Sequence, residues 1–305
     1  MISPGFIRQV GVARWLWRYA RLQFNKRILA RGCSLRLPTG SIILLPKSSQ
    51  SATEVYLTGA DVDWGSEAVM ARFADRARDF LDIGAHIGYY SAYLAPCVRK
   101  AYAFEPDPRN IPGLLANSRL AKNIAVNLLA VSSRTGFGQL FVGGSSAASS
   151  LVSFGDESIT VAVITVDDFL IAHPEIDPAV IKTDVEGNDL AALRGMSTTI
   201  ARHQPLVLTE CGDACELLEL CAEHQYMIFA FCRDRETQKI HFQQFFARDF
   251  AREWFKMLFL VPKHLHEEFR RMMFKHEAGG HQRPLPNLVD SIVRVVSLHG
   301  ESKEL

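Results

Sequence analysis

The stretch Phe80-Leu81-Asp82-Ile83-Gly84-Ala85-His86-Ile87-Gly88 decides the fold. A short apolar run ends on an acid, a glycine turn follows, and a helix-forming stretch opens at Tyr89. Glycine lets the backbone turn tightly and come close to a ligand at the carboxyl end of a strand. Outward from here the alternation of strand and helix repeats. Strands are expected at 80–83, 101–104, 124–131, 180–182 and 206–208, with helices at 89–94, 109–121 and 189–203 between them. A helix is expected at 65–77 before this core, and a helix at 214–224 with strands at 227–231 and 240–242 after it. The runs 139–142 and 159–163 read as an added hairpin around the Gly/Ser-rich segment 143–150. Such alternation argues for a doubly wound, mostly parallel sheet with helices on both faces.

The flanks differ from this core. Residues 34–58 hold short apolar runs around Pro38-Thr39-Gly40, which suggests a strand pair with a glycine turn. Residues 1–31 mix Trp15, Leu16, Tyr19, Leu22 and Phe24 with arginines, and no acid occurs before Glu54. They read as one or two basic amphipathic helices, either packed on the domain with solvated arginines or attached to an anionic membrane surface. The organisation expected is a basic N-terminal arm over 1–53, a catalytic domain over 54–262 and a C-terminal extension over 263–305. In the extension a basic helix at 263–274 is broken by Gly279-Gly280, Pro284 and Pro286.

The chain has 305 residues, and Lys plus Arg less Asp plus Glu is 34 − 33 = +1. That balance excludes a globally basic nucleic-acid binder and a highly charged disordered chain. No apolar run approaches the length of a membrane span. No secretory signal is read, so a reducing, cytoplasmic compartment is expected, with peripheral contact at the inner membrane face as an option for the arm. Cys33, Cys97, Cys211, Cys215, Cys221 and Cys232 lack paired spacing and read as free core cysteines. No metal site is assigned.

The chemistry gathers at strand ends. A dinucleotide site usually reads G-x-G-x-x-G, whereas this turn reads D-x-G-x-x-x-G. An acid at the turn disfavours a polyanion and favours a cationic ligand. S-adenosylmethionine, with a sulfonium, an ammonium and no phosphate, suits it better than a nicotinamide coenzyme. Glu105 ends the next strand, 105 − 82 = 23 residues on, where a carboxylate can accept hydrogen bonds from both ribose hydroxyls. Lys182-Thr183-Asp184-Val185-Glu186-Gly187 leaves a buried strand. Residues two apart on an extended segment face one way, so Asp184 and Glu186 are expected in one cleft, able to share a proton or a cation. Glu210, at the end of Pro205-Leu206-Val207-Leu208-Thr209-Glu210, would look into the same cleft.

Taken in order, these motifs and Thr165-Val166-Asp167-Asp168-Phe169 resemble the FkbM-type methyltransferases over residues 54–262. The resemblance implies a class I methyltransferase fold with a seven-stranded sheet and S-adenosylmethionine as cofactor. It also implies methylation of a hydroxyl oxygen on a sugar, a glycolipid or glycan, or a polyketide-like natural product. By position, Asp82, Gly84, Ala85, Gly88 and Glu105 would hold the cofactor, and Asp184 and Glu186 would line the methyl-transfer site; His86 and Pro106 are added to the cofactor residues expected here, and Glu210 to the catalytic ones. His86 stands where the family commonly has Asn. If protonated it would oppose a sulfonium. Two other readings stay open on the sequence: a nicotinamide-dependent oxidoreductase on a related fold, and a non-catalytic peripheral-membrane protein. Nucleic-acid methylation is disfavoured by the near-zero charge.

Overall fold

Strands that are apolar on both faces need cover on both sides, and the middle strands of this chain are of that kind. The computed structural model describes residues 10–278, apart from 48, 144–148, 153–156 and 213. The large sheet is built from β3 (Asp79–Ile83), β4 (Ala101–Phe104), β5 (Ile124–Asn127), β9 (Pro178–Thr183), β10 (Leu206–Thr209), β11 (Met227–Arg233), β12 (Ile240–Gln244) and β13 (Trp254–Val261). Their spatial order is β12-β11-β13-β10-β9-β3-β4-β5. β3, β4, β5, β9 and β10 run parallel, and β13 is antiparallel to both β10 and β11. This is the class I methyltransferase sheet, with β12 added at one edge as an eighth strand.

Adjacent residues of each strand serve opposite cores. Phe80, Val180, Leu206, Leu208 and Phe259 face one layer, and Leu81, Ile181, Val207, Leu258 and Leu260 face the other. The first layer receives α2 (Gln50–Thr58), α3 (Ser66–Phe73) and α4 (Tyr89–Leu94). The second receives α6 (Val166–Ala172), α7 (Asp189–Arg194), α8 (Ser197–His203) and α9 (Ala214–Glu223).

Several expected elements are divided. The run 124–131 is two strands, because the chain leaves the large sheet after Asn127. Ala130–Val131 (β6) then pairs with Ser158–Ile164 (β8), which also pairs with Gly136–Phe141 (β7). The hairpin expected there is thus present, in a separate three-stranded sheet. The expected helix 189–203 is broken at Gly195, whose position leaves no room for a Cβ beside the Ser132 carbonyl. Asp167 closes the break, accepting the amides of Thr198 and Thr199 at 3.0 and 2.8 Å and so capping α8. Thr165 caps its own helix through Asp168 N.

The flanks join the core. Cys33–Arg36 (β1) and Ile42–Leu45 (β2) form the expected hairpin, with Gly40 at φ 96° in its turn. Asn117 of α5 (Ile111–Ser118) stitches it to the glycine turn, bonding Leu44 N, Leu44 O and Ile87 O. Residues 50–58, expected within the strand pair, are helical. Val12–Gln23 (α1) continues as a π turn over Phe24–Ile28. Among the described residues no helix is long and apolar enough to cross a membrane. Cys215 is exposed and Cys33 half-buried, so the expectation of uniformly core cysteines fails at those two. The expected breaks at 279–280, 284 and 286 lie outside the described residues.

The α10 turn (Asp249–Arg252) precedes β13, and the C-terminal helix α11 (His266–Ala278) returns across the sheet. Phe269 is fully buried and stacks on Phe73 at 4.8 Å between ring centroids. Phe269→Ala should cost about 3–5 kcal/mol in a denaturant titration. A loss under about 1 kcal/mol would mean that this helix is not part of the core.

Candidate active site

The parallel strands β3, β4, β9 and β10 all end on one edge, and a cleft of about 290 Å³ opens there. Open α/β sheets hold ligands at this edge. The turn after β3 forms one wall. Gly84 N and Ala85 N both donate to Phe104 O, at 3.1 and 2.9 Å. Gly84 has φ 74°, and a Cβ there would lie 1.9 Å from the Asp184 carbonyl oxygen, so only glycine lets the two strand ends meet. Gly88, also left-handed at φ 81°, is buried behind the turn, where a Cβ would press on Leu114. Among the described residues it packs the helix and does not line the cleft.

Asp82 is fully buried at the floor. Its Oδ2 accepts Ser91 N at 2.9 Å and Ser91 Oγ at 2.6 Å, while Oδ1 is buried without a partner. Burial pushes its pKa up against the pull of Lys182. An orphaned carboxylate oxygen calls for a donor, which a bound ammonium would supply. Glu105, at the neighbouring strand tip, is 5 % exposed. Its Oε2 accepts His86 N at 2.7 Å and its Oε1 accepts Asp107 N at 2.8 Å. The Asn110 side chain also hydrogen-bonds to this carboxylate. Burial raises this carboxyl to about 7. His86, at φ 53°, is pushed down to about 4, first by burial and then by Lys182. It is therefore neutral near pH 7, and the charge conflict foreseen for it does not arise. Ala85 and Pro106 complete this wall.

Next to this wall lies the carboxylate group. Asp184, Glu186 and Glu210 bring carboxylate oxygens within 4.8 Å of one another. Strand alternation is not the cause, because β9 stops at Thr183. Glu186 sits in a left-handed turn at φ 51°, followed by Gly187 at φ 87°, and this turn directs the chain back over the cleft. An L residue held there marks a site where local strain is maintained by its surroundings. Lys182 Nζ lies 3.1 Å from Asp184 Oδ2 and donates to Gly84 O at 3.0 Å. Lys182 holds Asp184 below the usual carboxylate range against burial. Glu210 is driven to about 9, by burial and then by Asp184, and donates its proton to Asp184. Glu186 is raised to about 7, again by burial first and Asp184 second. Three neighbouring carboxyls thus occupy three different states near neutral pH, a division that separates acid and base roles.

Several cleft residues were not anticipated: Lys182, Asp63, Tyr90, Glu54 and Lys256. Tyr90 donates to Asp63 Oδ2 at 2.8 Å, and Lys256 donates to Glu54 Oε1 at 2.9 Å. Glu67 behind them accepts Val62 N, Asp63 N and Tyr89 Oη and is raised to about 8, chiefly by burial. A usable signal existed in the sequence: Lys182 and Lys256 each interrupt an apolar strand, and a buried ammonium requires carboxylates around it. The motif Thr165–Phe169 is not in the cleft; it caps and anchors helices.

Residues 82–277 match the Methyltransferase FkbM domain. The hexuronic acid methyltransferase AglP of Haloferax volcanii is 30% identical over 122 residues, covering 39% of this chain and 50% of the relative. The chain thus spans about half the length of that curated relative. Among solved structures, a methyltransferase FkbM from Methylobacillus flagellatus KT aligns at 18% identity, over 70% of this chain and 54% of its own, with a TM-score of 0.42. A precorrin-6y C5,15-methyltransferase from Geobacter metallireducens aligns at 12% identity, over 67% and 87% of the two chains, with a TM-score of 0.38.

The state of Glu210 has a consequence for stability. Its carboxyl titrates at about 9 in the folded chain and near the ordinary value of 4.5 when unfolded. Between those values only the folded chain keeps the proton, so rising pH favours unfolding. Glu210→Gln removes this dependence. In scanning calorimetry its unfolding midpoint should gain on the unsubstituted protein between about pH 5 and about pH 8. An offset that is the same at both would mean that Glu210 ionises normally.

Proposed function

The chain belongs to the FkbM methyltransferase family, and from this premise we propose that it is a methyltransferase that takes its methyl group from S-adenosylmethionine and delivers it to a hydroxyl oxygen of a sugar or glycan. The observation that carries the reading is the pair of buried acids at adjacent strand tips around Gly84. Asp82 offers an orphaned oxygen, and Glu105 is a buried carboxylate that lines the cleft. Bound there, S-adenosylmethionine supplies a methyl group made electrophilic by its sulfonium. The orphaned oxygen of Asp82 suits its ammonium, Glu105 suits the ribose hydroxyls, and neutral His86 adds no opposing charge. The same two acids would repel the pyrophosphate of a nicotinamide coenzyme.

The acceptor side is polar. Tyr90, Asp63, Glu54, Lys256, Ser149 and Ser150 border it, offering donors and acceptors to a hydroxyl-rich ligand. The partial likeness to a hexuronic acid methyltransferase fits such an acceptor. An alcohol must lose its proton as its oxygen attacks carbon. A general base works best with a pKa near the working pH. Glu186, at about 7, meets that condition. Asp184 remains ionised beside Lys182 and holds negative charge in the cleft, and Glu210 keeps its proton and hydrogen-bonds Asp184. The main contribution of the site is positioning, which brings acceptor oxygen and methyl carbon into line.

Two variants test this together. Glu105→Ala should weaken S-adenosylmethionine binding by more than about tenfold in calorimetry, since it removes charge-assisted hydrogen bonds. Glu186→Gln should keep that affinity yet lower transfer of labelled methyl to glycan fractions by about 10²-fold or more. Unchanged affinity in the first variant, or unchanged transfer in the second, contradicts the assignment concerned.

A further inference from the structure

We propose that α1 and the groove beside it form a docking surface for a bilayer bearing anionic headgroups. The helix has two apolar faces where a surface helix normally has one. Its inner face is already satisfied. Leu22 is buried, Trp15 and Tyr19 stack with ring centroids 5.0 Å apart, and Arg18 donates to Leu57 O at 3.1 Å. At 3.6 residues per turn, Leu16, Trp17, Ala20 and Phe24 fall on the opposite side. Leu16, Trp17 and Phe24 are 54, 59 and 53 % exposed, and Val12 and Ile28 at the ends of the segment are more exposed still. Among the described residues, no other segment of this length exposes so many large apolar side chains.

The charge around this face selects the partner. Residues 1–53 carry nine Lys and Arg and no Asp or Glu. The exposed Arg14, Arg21 and Arg27 border the apolar strip, and the Arg21 guanidinium lies 5.3 Å from the Trp17 ring centroid. A groove of about 490 Å³ runs beside the helix, lined by Arg21, Asn25, Arg31, Leu44 and Tyr56 among others. Apolar side chains over arginines, with a tryptophan at the boundary, match the depth profile of a membrane interface. A second copy of the chain would present the same patch and bring like charges together with no acid to compensate. An anionic bilayer neutralises them.

The surface also has a place relative to the cleft. Only α2 lies between them: Lys26 of the π turn bonds Thr53, while Ser51, Glu54 and Val55 of the same helix line the cleft. On the reading of the cleft given above, the acceptor side lies about one helix diameter, roughly 10 Å, from the docking helix. The test needs no methyl transfer, so failure of that reading and failure of this one are separable.

The full chain is sedimented with phosphatidylcholine vesicles, with and without phosphatidylglycerol, at low and high salt. Binding is expected to require phosphatidylglycerol and to weaken as salt rises. Leu16→Ser/Trp17→Ser and Arg14→Glu/Arg21→Glu should each reduce the partition coefficient by at least about tenfold, with the thermal midpoint preserved. If one pair unfolds the chain, the other decides. The proposal is overturned by equal binding to both vesicle types, by no binding, by insensitivity of binding to the folded variants, or by a solution dimer that Leu16→Ser/Trp17→Ser dissociates.

Discussion

The ammonium of Lys182 stands where three strand ends converge, and the state of the cleft follows from it. β9 places it beside Asp82 of β3 and Leu208 of β10. It is 4 % exposed, and its hydrogen bonds run to the carbonyl of the Gly84 turn and to Asp184. A buried cation in that position is tenable only with carboxylates around it, and removing any one of them leaves a costly imbalance. Asp184 is held ionised by Lys182, and His86 is driven further toward neutrality by it. With Asp184 charged, Glu210 and Glu186 cannot both ionise easily as well. One strand residue thereby biases Asp184, His86 and Glu186 directly, and Glu210 through Asp184.

How much of this was legible from residues alone depends on whether the signal is local. The turn Asp82–Gly88 was readable because its chemistry is local: a strand end, a glycine forced by close approach, and a helix start. Glu105 was readable because a neighbouring parallel strand ends at a predictable spacing. The grouping of Asp184, Glu186 and Glu210 was also foreseen, but for a reason that the backbone does not follow. The left-handed turn at Glu186 brings them together, and a positive φ on a glutamate has no sequence signature. The split of 124–131 and the break at Gly195 were missed because distant partners, β8 and Ser132, decide them. β13 escaped because its pairing is set by β10 and β11 together.

The fold explains why the two ends of the cleft differ in character. The side assigned above to the methyl donor is made from β3, β4 and their turns, which the sheet holds rigidly by parallel pairing. The other side borrows from less regular pieces: α2, the Asp63 loop, Ser149–Leu151 and the start of β13. Loops on a rigid scaffold are where specificity is usually written. The family match begins at Asp82, after α2 and the Asp63 loop. In the function proposed above, the residues assigned to the methyl donor fall within the family pattern, whereas part of the surface assigned to the acceptor lies outside it.

The most direct measurement is a crystal structure of the full chain with S-adenosylhomocysteine, the demethylated donor. The account predicts the ribose hydroxyls on the Glu105 carboxylate and the amino-acid end beside Asp82 and Gly84, with the sulfur directed toward Glu186. Ligand density elsewhere, or a ribose held without Glu105, would contradict the account at its centre.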